Sequence, residues 1–544
     1  MNNTIFKFEI PSNEKVLSYT QRSQSYRKLQ AELKKLSAVV TEIPLIIGGK
    51  EIRTGVMGEV VMPHNHSHVL ARYHKAGEKE VRMAIDAALE AKEQWAQLSW
   101  VERASVSTKV AELISVKYRH LLNAATMLGQ GKNVYQAEID AACETIDFLR
   151  YNAYFASEIY ANQPRSGFDQ LNRMEYRPLE GFVLAISPFN FTAIASNLNM
   201  SPVLMGNVTV WKPATTSLLS NYILMKIFEE AGLPAGVINF VPGDGALVGN
   251  IAMQHPDLAG VHFTGSTNVF NGIWKTIGGN ISNYKSYPRI VGETGGKDFI
   301  FVHNTAQPLQ VATAIVRGAF EYQGQKCSAA SRAYIPESLW KEVKMHTVRQ
   351  LQDVKIGDVE NFNCFVNAVI DRKSYGNIMG YIEKAHQSQD VEIVFGGKGD
   401  DSKGFFIEPT VLMTKDPNFV TMHEEIFGPV MTIYVYKDED FDKTLELCDK
   451  TSPYGLTGAV FATDRFVISK VMDKLKYAAG NFYINDKPTG AMVGLQPFGG
   501  ARSSGTNDKA GGPQNLMRWI NPRTIKETFV PATDFKYPFM KSFE

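Results

Sequence analysis

Cysteine is scarce in this sequence of 544 residues. Its four cysteines, Cys143, Cys327, Cys364 and Cys448, lie far apart, and none forms a CxxC pair. This spacing argues against zinc or iron–sulfur ligation and against the disulfide framework of a secreted protein. We therefore predict reduced thiols in a cytosol-like compartment and no metal site.

An excess of charge of either sign is also absent. Lysine and arginine number 57 and aspartate and glutamate 56, which leaves a net charge of +1. Such a balance creates no strong field to attract nucleic acid or an anionic membrane. We predict neither kind of partner and expect a small-molecule substrate.

No long apolar run reads as a membrane span. The longest candidate, 181–211, has 31 residues without a formal charge, but it contains two prolines and four asparagines that hydrocarbon disfavours. A strand, a loop, a buried helix and a second strand fit it better. The first 19 residues lack the apolar core of a signal peptide and are too acidic for a transit peptide, so we expect a cytoplasmic protein.

The usual phosphate-binding motifs are missing as well. GDGALVG (243–249) departs from GxGxxG by one position, and GGK (295–297) lacks the spacing of a Walker A loop. FTGST (263–267) is a better candidate, because a strand followed by Gly265 and Ser266 can present N–H groups to a phosphate; an ordinary N-cap is the alternative. Lys212 of WKPAT follows a predicted strand and is either a ribose or phosphate ligand or a solvated lysine.

Hydrophobic periodicity divides the chain into regions. Residues 78–98 have apolar residues at the spacing of an amphipathic helix, and we expect the N-terminal third to be mainly helical. From 181 to 302 short apolar runs alternate with helical segments, which is the βαβ rhythm of a parallel sheet. The same rhythm resumes after 327. Two segments, 171–178 and 524–530, resemble exposed antiparallel strands that a partner subunit would cover.

Cys327 is the strongest candidate for a catalytic nucleophile. It lies among Gly324, Gln325, Lys326 and Ser328, a polar setting unlike that of a buried structural cysteine, which is the alternative. We expect Lys326 and a helix beginning just after it to favour the thiolate. Glu293, in GETGGK 34 positions earlier, offers a carboxylate that could activate water against a thioester.

Six motifs then occur in an informative order: PFNF (188–191), WKPAT (211–215), FTGST (263–267), GETGGK (292–297), GQKCS (324–328) and EEIFGPV (424–430). In order and spacing they resemble the aldehyde dehydrogenase superfamily, over nearly the whole chain. The later segment 489–513 looks like the branch of that superfamily that oxidises L-glutamate γ-semialdehyde to L-glutamate in proline breakdown.

The resemblance implies a fold of class α/β with three parts. These are a Rossmann-type NAD-binding domain (1–163 and 181–291, with a helical leader), an α/β catalytic domain (292–518) and a small β-strand oligomerisation arm (164–180 and 519–544). It also implies at least a homodimer. Transient contact with a separate proline dehydrogenase is a hypothesis that no sequence feature demands.

The resemblance also implies roles for individual residues. Cys327 would be the nucleophile, Glu293 the base that activates water, and Asn190 an oxyanion donor. The residues implied for NAD are Ser187, Lys212, Gly265, Ser266, Thr267, Asn268, Val269, Glu425 and Phe427. Those implied for the substrate's α-carboxylate and amino group are Ser328, Gly490 and Ala491.

Two departures from the family pattern affect these expectations. Many relatives have a glutamate where this chain has Thr215, and without that carboxylate NADP is not excluded beside NAD. Relatives often have serine at the position of Ala491. Another semialdehyde or an aliphatic aldehyde is the alternative substrate, and a catalytically silent scaffold of the same fold is the alternative from a different class.

Overall fold

The structure is a computed structural model that describes residues 6–541. Its first sheet has seven strands, of which five neighbouring strands, from Arg289–Glu293 at one edge to Ile238–Phe240, run parallel. The remaining two strands form a hairpin that pairs antiparallel with Ile238–Phe240. In spatial order the strands are Arg289–Glu293, Leu258–Thr264, Phe182–Ile186, Thr209–Lys212, Ile238–Phe240, Leu45–Ile47 and Lys50–Ile52.

The strand order of this sheet reverses between Phe182–Ile186 and Leu258–Thr264. From Phe182–Ile186 the chain first adds strands on one side and later returns to add strands on the other. Ligands of open α/β sheets bind beyond the carboxyl ends of the strands at such a switch point. The loops that follow these two strands are therefore the place to look for a cofactor site.

Helices cover both faces of the first sheet. The crossover helices are Thr192–Leu204, Leu218–Glu230, Gly245–Met253 and Thr267–Gly279, and the predicted amphipathic helix is Glu78–Gln97. The latter buries Val81, Ala84, Ile85 and Ala88 completely, as its periodicity predicts, whereas Leu89 is only partly buried. The 31 uncharged residues form the predicted strand, loop, buried helix and strand. Within residues 6–541, every helix is too short or too polar to cross a membrane.

The N-terminal third contains more strand than we predicted. Thr41–Ile43, Met57–Met62 and Asn65–His74 form a three-stranded sheet, and Leu45–Ile47 and Lys50–Ile52 form the hairpin at the edge of the first sheet. The expectation of a mainly helical region is wrong for 41–74. Gly48 and Gly49, both with positive φ, make a two-residue turn between the hairpin strands, a signal that the sequence does contain.

Two π-helical segments join the remaining N-terminal helices. Ile114–Tyr118 links Trp100–Leu113 to Arg119–Gln130, and Glu138–Glu144 links Val134–Ala137 to Thr145–Ala161. π-helical turns are rare and occur often at functional sites. The other α-helices are Gln24–Ser37, Pro308–Phe320, Glu337–Gln352, Arg372–Gln387, Val420–His423, Phe441–Lys450, Arg465–Lys474 and Pro513–Met517.

The second sheet also has seven strands, all parallel except Val391–Phe395 at one edge. Next to that edge strand come, in spatial order, Thr410–Thr414, Val430–Tyr436, Ala330–Pro336, Asp298–Val302, Thr457–Phe461 and Asn481–Ile484. The alternation predicted after residue 327 is confirmed by these strands. Two short pairs, Gly399–Asp400 with Phe406–Ile407 and Tyr454–Gly455 with Ala501–Arg502, lie outside this sheet.

A two-stranded arm completes the fold. Gln170–Pro178 pairs antiparallel with Ile520–Thr528 along nine residue pairs, and most of its side chains are at least partly exposed. The sequence predicts both segments as exposed antiparallel strands, and their pairing with each other is a finding of the structure. The predicted domain boundaries stay a prediction, and the one at 291/292 falls inside strand Arg289–Glu293.

Candidate active site

The loop that carries Cys327 begins with an unusual turn. Tyr322, Gln323 and Gly324 all have positive φ, at 52°, 55° and 66°. Two long-range contacts hold the turn: the Tyr322 hydroxyl donates to the Gln130 carbonyl at 3.0 Å, and the Gln323 amide donates to the Gly131 carbonyl at 2.8 Å. Non-glycine residues persist in this conformation only where their surroundings fix it, and such strain clusters at active sites.

The Cys327 thiol is half-buried, and its pKa is raised well above the ordinary value. Burial is the main cause, followed by the negative charges of Asp298, Glu293 and Glu425. The thiolate is therefore not stabilised in the free protein, and our expectation on this point is wrong. The Lys326 ammonium pairs with the Glu321 carboxylate at 3.1 Å, and a strand beginning at Ala330, not a helix, follows the thiol.

Asn190 lies in the loop between strand Phe182–Ile186 and helix Thr192–Leu204, at the switch point of the first sheet. Its buried side-chain amide donates to the Gln325 carbonyl at 3.0 Å. This bond ties the amide to the loop two residues before Cys327. An amide NH₂ has two hydrogens, so the second one is left for an oxyanion formed at the nucleophile.

Glu293 is the last residue of strand Arg289–Glu293. Burial raises the pKa of its carboxyl well above the ordinary value, the charge of Asp508 adds to this, and Lys509 opposes it. One carboxylate oxygen, Oε2, is buried and has no hydrogen-bond partner among residues 6–541. A buried carboxyl with a raised pKa and a free oxygen, close enough to shift the pKa of a thiol, has the properties of a general base.

Most of the residues predicted for NAD lie along the carboxyl edge of the first sheet. Ser187 follows strand Phe182–Ile186 and accepts a hydrogen bond from the Trp211 indole at 3.0 Å. Lys212 ends the neighbouring strand, and burial lowers the pKa of its ammonium. A Cβ on Gly245 would lie 3.6 Å from Lys212 Nζ, so the ammonium faces the start of helix Gly245–Met253.

The segment 265–269 forms the turn and first residues of helix Thr267–Gly279, where N–H groups are available to an anion. The Ser266 hydroxyl accepts from the Val269 N–H at 3.4 Å, so the N-cap alternative is also realised. The Thr267 hydroxyl contacts the Tyr454 hydroxyl at 3.4 Å. Asn268 and Val269 are exposed, which leaves this edge open to a ligand.

Glu425 and Phe427 reach the site from the second half of the chain. Glu425 accepts the Gly296 N–H at 3.0 Å, and burial raises its pKa to about 7. A Cβ on Gly295 would lie 2.2 Å from the Glu425 carboxylate, so only glycine allows this approach. Phe427, with φ of 57°, packs edge-to-face against Phe189 at a centroid distance of 5.8 Å.

The residues predicted for the substrate lie on two loops. The Ser328 hydroxyl is 2.8 Å from the hydroxyl of Thr489, which immediately precedes Gly490. Gly490 has φ of 95° and is exposed, and Ala491 is partly exposed. The structure thus brings Ser328 to the loop of Gly490 and Ala491, although they are far apart in sequence. Sequence reasoning missed Thr489, whose hydroxyl makes this connection.

Other buried groups near the site were also missed. Asp298, whose charge is the largest charge effect on the thiol, has its pKa raised to about 8 by burial. Burial lowers the pKa of Lys297 to about 7, and its Nζ has no hydrogen-bond partner within residues 6–541. Both residues lie within or beside GETGGK, but nothing in that motif reveals that their side chains are buried.

Comparisons with known proteins identify the family of this chain. The sequence model described as "Aldehyde dehydrogenase family" matches residues 53–525. A Dictyostelium discoideum protein named "Delta-1-pyrroline-5-carboxylate dehydrogenase, mitochondrial" is 53% identical, over 97% of this chain and 96% of its own length. The human protein of the same name is 47% identical, over 97% and 94%.

A solved structure is similar as well. The delta-pyrroline-5-carboxylate dehydrogenase from Mycobacterium tuberculosis, bound with NAD, has a TM-score of 0.96 and 48% identity, and the match covers 99% of this chain and 100% of that one. The family match spans most of the chain, and the similarity to the solved structure extends over the whole fold. This chain belongs to the aldehyde dehydrogenase family.

Proposed function

We propose that this chain oxidises L-glutamate γ-semialdehyde, the open form of 1-pyrroline-5-carboxylate, to L-glutamate with NAD. The observation that carries the proposal is that the Asn190 amide is bonded to the Cys327 loop, and that the charge of Glu293 is near enough to raise the pKa of the Cys327 thiol. The full-length similarity to proteins named delta-1-pyrroline-5-carboxylate dehydrogenase supports the substrate. The product then enters glutamate metabolism as the end of proline breakdown.

Each residue has a defined part in the proposed reaction. The Cys327 thiolate forms a bond to the aldehyde carbon, and the resulting oxyanion accepts hydrogen bonds from the Asn190 amide and the Cys327 N–H. NAD, when bound, supplies the hydride acceptor. Cys327 then carries the acyl group as a thioester, and Glu293 takes a proton from water as the water attacks it. The carboxylate product leaves, and the thiolate is restored.

The chain's own residues fit NAD. The exposed helix start at 265–269 would bind the pyrophosphate, Lys212 and Ser187 would bind the adenosine half, and Glu425 would bind the nicotinamide ribose with Phe427 beside it. The approach of Glu425 to Gly295 places a carboxylate next to the motif that carries Glu293. Because Thr215 offers no carboxylate to repel a 2′-phosphate, we propose that NADP is also used, more weakly.

Substrate recognition would come from the loop around Gly490 and from Ser328. Ser328, fixed by Thr489, and the N–H groups of Gly490 and Ala491 would bind the substrate's α-carboxylate and amino group. A carboxylate-bearing aldehyde should then have a much higher kcat/KM than an aliphatic aldehyde of equal length, since polar groups left unpaired are penalised.

The test is NADH formation by purified protein with NAD and 1-pyrroline-5-carboxylate, beside a Cys327→Ala variant. We expect turnover that the variant loses, with Cys364→Ala as a matched control that retains it. Activity on aliphatic aldehydes alone would keep the mechanism and overturn the substrate. An inert wild-type protein with an unreactive Cys327 would favour the silent scaffold.

Domain roles and assembly are part of the same proposal. The first sheet with its helices would bind the dinucleotide (1–163 and 181–291), the second would present the nucleophile (292–518), and the arm (164–180 and 519–544) would join subunits into at least a homodimer. Contact with a separate proline dehydrogenase would be transient. The cytoplasm stays our prediction for this chain, although the Dictyostelium and human relatives carry "mitochondrial" in their names.

A further inference from the structure

A fully buried ion pair lies behind the proposed oxyanion donor. Lys132 Nζ is 2.6 Å from the Asp140 carboxylate, and both side chains have no exposed surface. Asp140 belongs to the π-helical segment Glu138–Glu144. Such a pair is costly to desolvate, so its retention calls for a reason beyond stability.

Asp140 is bonded to the element that carries Asn190. Its two carboxylate oxygens accept the N–H groups of Thr192 at 3.0 Å and Ala193 at 2.9 Å. These N–H groups are the first of helix Thr192–Leu204, and Asn190 lies two residues before that helix. Asp140 therefore caps the helix from a distant segment and fixes where the chain enters it.

Lys132 touches both sides of the site. Its ammonium lies 4.0 Å from the ring centroid of Phe191, the residue after Asn190, and 4.6 Å from that of Tyr322. Tyr322 belongs to the turn that leads to Cys327, and its hydroxyl is held by the Gln130 carbonyl. The pair therefore sits between the donor loop and the nucleophile loop.

We propose that Asp140, held by Lys132, is a positioning residue that keeps the Asn190 amide in place against the Cys327 loop. Neither residue touches the reacting atoms. The Asn190–Gln325 hydrogen bond joins the two loops, and the ion pair fixes the distance between them. The inference deepens the proposed function and rests on it for the role of Asn190.

The chain offers a closely matched control for Asp140. Glu138 lies in the same π-helical segment, is also fully buried, and is also paired with a cation, Arg119. Its other hydrogen bonds are from Tyr19, Asn123, the Leu17 N–H and the Cys143 thiol, none of which belongs to helix Thr192–Leu204. Asp140→Asn and Glu138→Gln therefore remove the same kind of charge, but only the first should disturb the oxyanion donor.

Three rates are measured for each variant. The first is kcat for the semialdehyde with NAD. The second is hydrolysis of p-nitrophenyl acetate without NAD, in which Cys327 Sγ bonds to the acetyl carbon, p-nitrophenolate leaves with its electron pair, and water cleaves the thioester; this reaction also forms an oxyanion. The third is alkylation of Cys327 by iodoacetamide, which displaces iodide and forms no oxyanion.

For Asp140→Asn we expect kcat and ester hydrolysis to fall by about 10- to 100-fold, since deleting an oxyanion donor costs about 10²–10³ and a misplaced one retains part of its effect. KM and the alkylation rate should change by less than about twofold. Glu138→Gln should keep both oxyanion-forming rates within about threefold. Unfolding midpoints for both variants show how much either substitution costs in stability.

Several results would overturn the inference. One is an Asp140→Asn variant with undiminished ester hydrolysis; another is an equal loss in Glu138→Gln; a third is an alkylation rate that falls together with the ester rate. If Asp140→Asn does not fold, Lys132→Gln, which retains a donor to Asp140, should show the same pattern with a smaller loss. A wild-type protein that hydrolyses the ester but does not oxidise the semialdehyde would refute the proposed substrate. The role of Asp140 would then be decided by the ester hydrolysis rates of the variants.

Discussion

The ionisation of Cys327 is the central chemical problem at the scale of single residues. The thiol and the Glu293 carboxyl both have raised pKa values, mainly because both are buried, and each is needed in its deprotonated form. Glu293 in its charged form also opposes ionisation of the thiol. Burial and this negative charge therefore both keep the nucleophile protonated in the free protein.

The pH dependence of thiol reactivity follows from these shifts. Because a raised pKa moves the reactive thiolate to higher pH, alkylation of Cys327 by iodoacetamide should increase with pH and reach its midpoint above the ordinary thiol value of about 8.5. Glu293→Gln removes one negative neighbour and should move the midpoint to lower pH. A midpoint below about 8.5 in the wild-type protein would contradict the raised pKa.

Glu293→Gln should also separate the two halves of the reaction. The variant can still form the thioester but lacks the base that activates water, so we expect steady-state turnover to fall by at least about 10²-fold. NADH should appear in a rapid burst of one equivalent per Cys327, followed by slow release. Mass spectrometry should find the acylated cysteine, and steady turnover at the wild-type rate would remove Glu293 from its proposed role.

At the scale of elements, the site depends on short loops held against each other from distant parts of the chain. The turn 321–324 has three successive residues with positive φ and is fixed by carbonyls of 130 and 131. The GETGGK loop is fixed by Glu425, nearly 130 residues later, through the Gly296 N–H. Neither loop would keep its shape in isolation, because its bonding partners belong to other elements.

Gly295 offers a test of the second of these loops. A Cβ at this position would lie 2.2 Å from the Glu425 carboxylate, so Gly295→Ala must displace Glu425. If Glu425 binds the nicotinamide ribose, KM for NAD should rise about 10-fold, equivalent to about 1.4 kcal/mol of lost binding. Gly278→Ala, in the helix Thr267–Gly279 with open space around its Cβ, is the matched control. Equal KM values for the two variants would contradict the role of Glu425.

At the scale of the whole molecule, the residues proposed for catalysis come from both sheets. The carboxyl edge of the first sheet carries Asn190, Glu293 and most of the residues proposed for NAD, whereas Cys327 comes from the loop before a central strand of the second sheet. The nucleophile and its base therefore meet only when both halves have folded and packed. A partly unfolded protein should lose activity before it loses most of its secondary structure.

The arm leads to a prediction about assembly. Within residues 6–541 its two strands pair only with each other and leave Leu171 41% exposed, and an isolated two-stranded ribbon is marginally stable. We expect a solution mass of at least twice the 60.6 kDa of one chain, and Leu171→Lys should lower it. Leu309→Lys, at a leucine with 54% exposure in helix Pro308–Phe320, should leave the mass unchanged. A monomeric wild-type protein would refute the proposed role of the arm.

The sequence by itself determined the alternation of strands and helices, the amphipathic face of helix Glu78–Gln97, the two arm strands and the motifs that mark the family. These properties are local, since they depend on periodicity and on residues close together in the chain. For the same reason the motifs alone are enough to single out Cys327, Glu293 and Asn190.

Only the tertiary structure decided the electrostatics and the support of the site. Lys326 turns to Glu321 and not to the thiol, Asp298 adds a charge that no motif reveals, and Asp140 caps a helix 52 positions later. Burial and the distance between charges fix a pKa, and both depend on how remote segments pack. Among the strands of 41–74, the Gly48–Gly49 hairpin has a local signal, whereas the three-residue segment Thr41–Ile43 is a strand because it pairs with Asn65–His74.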